Sequence, residues 1–281
     1  MTTGPAAVRA VRAVRAVRAV RAVPAVVVLL ALPLLIGCGA GSADTATRTG
    51  DATSGAGART GVTGEVTVLA AASLTRPVRA LAEAFEQANP DTTIRLGFGS
   101  STTLAQQIAQ GAEVDLLASA GTPALDQLGD VEPTSTVTIA RNTLEIATPP
   151  GNPAKVAGLA DLARRDVAVV LCAESVPCGR AADEVLTRAG VTAHVVSREV
   201  DVGATLAKVT LGEADAAVVY HSDVVSARGA VEGVVIPPER NTTLDYPLAR
   251  FGEDAAAAAF AAFLAGPQGR AALRDAGFLA P

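Results

Sequence analysis

Residues 65–117 read EVTVLAAASLTRPVRALAEAFEQANPDTTIRLGFGSSTTLAQQIAQGAEVDLL, and the fold class can be deduced from this stretch. A short apolar run typical of a buried strand comes first, and apolar residues at helical spacing follow at Leu74, Val78, Leu81 and Phe85. An Asn-Pro-Asp break, a second strand, a second helix and a third strand complete the pattern. Strand, loop and helix alternate, which predicts an α/β fold with a doubly wound parallel sheet.

The same alternation returns after the Gly-Asn-Pro turn at residues 151–153. Further strands and helices are predicted at residues 167–171, 180–188, 205–211 and 216–219. The Pro237-Pro238 pair marks a crossing segment, and an Ala-rich helix closes the chain. Two α/β lobes are therefore expected.

The N-terminus has the character of an export signal. Val-Arg-Ala triplets repeat between residues 8 and 20, and an apolar run at 22–36 follows. That run is shorter than the roughly 20 residues that a membrane span needs. The sequence Leu35-Ile-Gly-Cys38 resembles the lipobox of bacterial lipoproteins, in which the cysteine is acylated and becomes the mature N-terminus. An uncleaved membrane anchor with an incidental cysteine is the alternative.

Small and polar residues fill the stretch after Cys38 as far as Gly61, so a disordered tether is expected there. The chain is then predicted to comprise a signal peptide at 1–37, a lipidated cysteine and tether at 38–62, the first part of lobe 1 at 63–142, lobe 2 at 143–236, and a return segment of lobe 1 at 237–281. This organisation predicts a protein that is lipid-anchored to the extracytoplasmic face of the cell membrane.

Charge limits the partners of this chain. The formal net charge is −5, and it becomes −10 when the five arginines that precede Cys38 are left out. No long basic patch interrupts the remainder, so nucleic acid is not an expected partner. An acidic protein that binds an anion must rely on local dipoles and hydrogen-bond donors, because its overall field repels the ligand.

Three cysteines occur, at positions 38, 172 and 178. With Cys38 assigned to lipid, Cys172 and Cys178 remain in an oxidising compartment and flank one short loop, which predicts a disulfide between them. Two buried free thiols are the alternative.

Polar residues recur where predicted strands end and helices begin, namely at Ser73, Ser101, the Pro177–Gly179 turn and the Asp201–Gly203 turn. Ligands of open α/β sheets bind outside the carboxyl ends of strands, and helix N-termini offer unpaired N–H groups to anions. Each serine alone is equally compatible with a plain helix cap. Two such loops in each half of the chain favour an anion site.

An ordered set of motifs resembles the periplasmic molybdate-binding proteins of ABC importers. The motifs are AAASLT at 70–75, FGSSTTLA at 98–105, QIAQGAEVDL at 107–116, VPCG at 176–179, DV at 201–202, VVYHSD at 218–223, YP at 246–247 and GPQG at 266–269. The resemblance implies a two-lobed type II periplasmic-binding-protein fold, in which each lobe is a doubly wound sheet flanked by helices and the ligand lies in the cleft. It also implies a monomer whose partners are molybdate and a membrane permease.

The resemblance further implies how the oxyanion is held. Ser73 and Ser101 match the two serines that donate through their hydroxyls, and Tyr220 matches the tyrosine donor. Cys178 and Val202 match positions that donate through backbone N–H groups. The family often has alanine at the position of Cys178, and the change leaves the backbone donor available.

A pocket of neutral donors accepts a fully deprotonated anion, which favours molybdate, tungstate or sulfate over protonated phosphate. No cofactor and no free metal cation are expected. Because none of the proposed ligand residues titrates near neutrality, affinity is expected to vary little between about pH 6 and about pH 8.

Other classes of function fit the sequence less well. Ser73 or Ser101 with His221 and Asp223 would suit a hydrolase, but the Gly-x-Ser-x-Gly elbow is missing. His221 and Asp223 also lack the spacing of a zinc site. Receptors for sulfate, tungstate or ferric ion remain alternatives within the binding-protein class, the last needing the two tyrosines, Tyr220 and Tyr246.

Overall fold

The computed structural model describes residues 61–281. The predicted signal peptide, the lipidation site Cys38 and the tether as far as residue 60 lie outside the described residues. The described residues fall within one compact unit, so the residue ranges assigned to the two lobes stay a prediction. No helix in this part of the chain is long and apolar enough to cross a membrane.

Nine strands and seven α-helices form within residues 61–281. The strands are β1 (Gly64–Ala71), β2 (Thr92–Gly99), β3 (Leu116–Ala118), β4 (Ser135–Thr148), β5 (Val169–Cys172), β6 (Val195–Glu199), β7 (Ala216–Tyr220), β8 (Glu232–Val235) and β9 (Thr243–Arg250). The helices are α1 (Thr75–Ala88), α2 (Ser101–Ala109), α3 (Pro177–Ala189), α4 (Val202–Thr210), α5 (His221–Ser226), α6 (Ala255–Ala265) and α7 (Pro267–Asp275). Short 3-10 helices lie at Ala72–Leu74, Thr122–Leu128, Leu159–Ala163 and Pro238–Arg240.

The strands form one mixed sheet in the order β2-β1-β3-β9-β4-β7-β5-β6, with β8 paired to β4 beside this path. Strands β1, β2 and β3 are parallel, and so are β5, β6 and β7. We call β1, β2, β3 and β9 the first half of the sheet, and β5, β6, β7 and β8 the second half. Strand β4 joins the halves, because it pairs with β9 as far as Thr143 and with β7 from Leu144 onward.

The sequence did not predict β4 or β9, and both run antiparallel to their neighbours. Proline inside a strand argues against a strand, and β9 contains Pro247. Here the proline pairs with Thr138, where a shift of register between Thr138 and Ala140 relaxes the ladder. In β4 the polar residues Asn142 and Glu145 interrupt the apolar pattern, yet both are buried.

The first predicted helix is confirmed, with its apolar stripe facing the core. Val78, Leu81 and Phe85 of α1 are all buried. The Phe85 ring meets the Phe260 ring of α6 edge to face, with centroids 5.0 Å apart. Only the short 3-10 turn Ala72–Leu74, which contains Ser73, separates the start of α1 from the end of β1.

The loop between β5 and α3 is tightly closed. The predicted disulfide joins Cys172 at the end of β5 to Cys178 in the first turn of α3, with the two Cα atoms 5.8 Å apart. Pro177 occupies the start of the helix, where its missing N–H and fixed φ cost nothing. A Cβ atom on Gly179 would lie 1.9 Å from the Ala173 carbonyl oxygen, so only glycine lets the loop fold against the helix.

Removal of the bridge in a Cys172→Ala/Cys178→Ala variant is expected to lower the free energy of unfolding by about 2 kcal/mol, because so small a ring restricts the denatured chain only modestly. Urea denaturation of the oxidised parent and the variant measures the difference, and the parent in reductant is the control. Two reactive thiols in the denatured, unreduced parent, apart from Cys38, would contradict the bridge.

Candidate functional site

The structure places all five sequence-predicted ligand residues around one cavity at the carboxyl ends of parallel strands. Ser73 follows β1, Ser101 begins α2, Cys178 lies in the first turn of α3, Val202 begins α4, and Tyr220 ends β7. The volume of the cavity, measured as the space open to the centre of a water-sized sphere, is about 20 Å³. A single water needs less, and pockets for organic ligands run to about 300–1,000 Å³, so the space suits a compact ion.

Three helices begin at this cavity: α2 and α4 with nine residues each, and α3 with 13. The first N–H groups of a helix have no acceptor within the helix, and the helix dipole gives that end a partial positive charge. Cys178 and Val202 line the cavity and lie in first turns, so their backbone N–H groups have no acceptor within their own helices. The site obtains positive potential without a charged side chain.

Both predicted ligand serines, Ser73 and Ser101, already have hydrogen-bond partners in the protein. Ser73 Oγ lies 3.0 Å from Tyr246 Oη, which also lies 3.4 Å from Asn142 Nδ2. Ser101 Oγ accepts a hydrogen bond from the Ala120 N–H at 2.9 Å, so its own O–H can donate to another acceptor. The protein thus fixes the position of the Ser101 oxygen and leaves its proton for a ligand.

Two other buried hydroxyls, on residues that line the cavity, have no hydrogen-bond partner within 3.5 Å among the described residues. They are Ser100 Oγ, which the sequence did not single out, and Tyr220 Oη. Burial raises the pKa of Tyr220 well above its usual value, so this phenol keeps its proton at neutral pH. A buried hydroxyl without a partner costs about 1–3 kcal/mol, and an acceptor in the cavity would remove that cost.

The remaining residues around the cavity are mostly small or apolar: Ala71, Ala72, Gly99, Ala120, Val176 and Pro177. No Lys, Arg or His is among the described residues that line it. The Asp201 carboxylate does line it, and its Oδ1 accepts a hydrogen bond from the Ala204 N–H at 2.8 Å as the cap of α4. The sequence singled out this acid only as part of a turn, and capping gives one of its oxygens a backbone partner.

Two hydrogen bonds join helices that follow the first half of the sheet to segments that follow strands of the second half. Thr102 Oγ1, beside Ser101, donates to the Ser175 carbonyl at 3.1 Å. Arg76 donates from Nη1 to the Ser226 carbonyl at 3.1 Å. Segments that follow the two halves of the sheet are therefore in direct contact in this structure.

The residues that would suit a hydrolase do not form the hydrogen bonds of a catalytic triad, in which a nucleophile contacts a base and the base contacts an acid. His221 Nδ1 lies 2.5 Å from Glu145 Oε2, while Asp223 Oδ2 accepts a hydrogen bond from the Tyr220 N–H at 3.0 Å. Ser73 pairs with Tyr246 instead. Within residues 61–281, no group of three His, Cys, Asp or Glu residues could hold a metal ion.

Asp223 is a titrating group behind the cavity. Burial raises its pKa from 3.8 to about 7, against the opposing effect of the hydrogen bond from the Tyr220 N–H, and the negative charge of Asp201 raises it further. The carboxyl group therefore changes charge near neutrality, next to a predicted ligand residue. That affinity varies little between about pH 6 and about pH 8 stays a prediction, on which the titration of this carboxyl group bears.

The raised pKa predicts a loss of stability with rising pH. The folded protein holds the Asp223 proton more tightly than the unfolded chain, so the free energy of unfolding falls as pH rises from about 4 to about 7. Asp223→Asn removes this titration and keeps an acceptor for the Tyr220 N–H. Urea denaturation across this range should show a steeper decline for the parent than for Asp223→Asn, and parallel profiles would contradict the assignment.

Several known proteins are similar to this chain in both sequence and fold. A profile of the bacterial extracellular solute-binding proteins matches residues 66–279. The molybdate-binding protein ModA of Mycobacterium tuberculosis is 36% identical over 224 residues, which cover 77% of this chain and 85% of that protein. ModA of Escherichia coli is 30% identical over 229 residues, which cover 76% and 89%.

Among solved structures, the periplasmic molybdate-binding protein of Azotobacter vinelandii matches with a TM-score of 0.67 and 22% identity, over 77% of this chain and 99% of that chain. This match confirms the predicted α/β fold, with a central sheet flanked by helices. The two ModA proteins confirm the resemblance that the motifs indicated. The chain belongs to the family of bacterial extracellular solute-binding proteins.

Proposed function

We propose that this protein captures molybdate, or the similar tungstate, outside the cytoplasm and delivers it to the permease of an ABC importer. The observation that carries the proposal is the pair of buried hydroxyls, Ser100 Oγ and Tyr220 Oη, which line one small cavity without partners among the described residues. One follows β2 in the first half of the sheet and the other ends β7 in the second. An anion with several acceptor atoms would pair with both.

The chemistry of the donors supports a fully deprotonated oxyanion. A hydrogen bond from a neutral donor to a charged acceptor contributes about 1.5–3 kcal/mol, so several of them offset the desolvation of the anion. The cavity offers hydroxyl donors and three helix N-termini. A protonated phosphate would need an acceptor, and one oxygen of the Asp201 carboxylate, the acidic group at the cavity, already accepts the capping hydrogen bond of α4.

The relatives support molybdate as the particular oxyanion. Two proteins named molybdate-binding protein, from Mycobacterium tuberculosis and Escherichia coli, are 36% and 30% identical to this chain. The five ligand residues implied by the motifs surround the same cavity. We therefore infer that Ser73, Ser101 and Tyr220 donate through hydroxyls, and Cys178 and Val202 through backbone N–H groups.

Calorimetric titration with molybdate, tungstate, sulfate and phosphate tests the ligand. Molybdate and tungstate are expected to bind tightly, and phosphate weakly. Tyr220→Phe removes the hydroxyl and keeps the ring, so it should weaken molybdate binding about ten- to a hundred-fold, and Ser101→Ala should do likewise.

His221→Ala is the matched control for these variants, because His221 is the neighbour of Tyr220 and pairs with Glu145 instead of lining the cavity. Its affinity should stay close to that of the parent, and thermal melting should show all variants folded. Loss of binding in His221→Ala together with parental affinity in Ser101→Ala would place the ligand elsewhere.

We also propose that Cys38 carries the lipid that anchors the protein to the membrane. The lipobox-like sequence Leu35–Cys38 follows a cationic and an apolar run, although these residues lie outside the described part of the chain. In bacteria fed a labelled fatty acid, the parent should take up label and fractionate with membranes. Cys38→Ala should lose both properties, and unchanged mass and membrane retention in that variant would contradict the anchor.

A further inference from the structure

We propose that Ser100 is a further ligand residue, whose hydroxyl donates a hydrogen bond to the bound oxyanion beside that of Ser101. This inference rests on the proposed function, because it assigns another contact in the same cavity. It starts from the burial of Ser100, a residue that is 8% exposed and whose Oγ is buried, and from its place among the residues that line the cavity.

The Ser100 hydroxyl is one of few buried polar groups in the described residues that lack a hydrogen-bond partner. Within residues 61–281, three buried side-chain oxygen or nitrogen atoms have no hydrogen-bond partner: Ser100 Oγ, Tyr220 Oη and Ser226 Oγ. Two of the three line this one cavity, and Tyr220 Oη matches a ligand donor of the family. Natural proteins pair nearly all their buried polar atoms, so two such atoms at one small cavity indicate a ligand that pairs with them.

The helix that Ser100 caps does not use its hydroxyl. Ser100 is the N-cap of α2, and its carbonyl accepts the first hydrogen bond of the helix from the Leu104 N–H at 3.0 Å. A serine at this position usually also accepts a hydrogen bond through its side chain from an N–H two or three residues later. The Ser100 side chain makes no such bond. Serine is therefore not explained here by capping.

Ser100 and Ser101 differ in how many hydrogen bonds their hydroxyl groups can still make with a ligand. Ser101 Oγ already accepts from the Ala120 N–H, so the protein orients it and only its proton remains. Ser100 Oγ is free both to donate and to rotate. Because each oxygen of an oxyanion has more than one lone pair, adjacent hydroxyls at the head of one helix can donate to the same ion. The start of α2 then supplies two hydroxyl donors.

Ser100→Ala tests the assignment by calorimetric titration with molybdate. Its dissociation constant is expected to rise about ten-fold or more over that of the parent. The melting temperature of the unliganded variant should not fall, because the hydroxyl has no partner in the protein to lose. Ser100→Gly is the second variant, since glycine is well tolerated at an N-cap, and it should lose affinity similarly.

Ser226→Ala is the matched control, because it also removes a buried hydroxyl without a partner, at a position that does not line this cavity. It should bind molybdate as the parent does. Parental affinity in both Ser100 variants, or an equal loss in Ser226→Ala, would overturn the role of Ser100 while leaving molybdate binding intact. A parent protein that fails to bind molybdate would instead overturn the proposed function.

Discussion

Strand β4 is shared by both halves of the sheet, and the geometry of the cavity depends on that sharing. The parallel strands of each half end at the cavity only because β4 and its partner β9 hold the halves side by side. At the junction, the fully buried Asn142 donates to Ser222 Oγ at 2.8 Å and lies 3.4 Å from Tyr246 Oη. Since Tyr246 in turn contacts Ser73, the polar group that ties the halves together also supports the site.

An acidic protein repels an anion at long range. The positive ends of helix dipoles at helix N-termini can offset this repulsion locally. The long-range field is unfavourable, but it is screened over a Debye length of about 8–10 Å in physiological salt. Helix N-termini and hydroxyl groups act at contact distance, where a dehydrated anion is most sensitive to them. The closed loop at the start of α3, with its disulfide and Gly179, fixes one of these donors before a ligand arrives.

The sequence predicted those features that depend on local pattern. Helical spacing identified α1, and the matching motifs brought Ser73 and Tyr220 to one site although they lie far apart in the chain. It failed where tertiary context decides the outcome. Pro247 argued against a strand that a register shift makes possible, so β9 was missed. Ser100 was missed because neighbouring serines look alike until burial and hydrogen bonds distinguish them.

The hydroxyls that lack partners also bear on how binding is coupled to closure. Ser100 Oγ and Tyr220 Oη are shielded from solvent in this structure, and each costs about 1–3 kcal/mol when nothing accepts its proton. If the cleft opened, water would pair with both groups, so we expect the unliganded protein to favour an open form. We expect a bound oxyanion to reverse this bias, because it would pair with both groups only when both halves surround it, and such differential contact favours closure. The same two hydroxyl groups would then serve both recognition and closure.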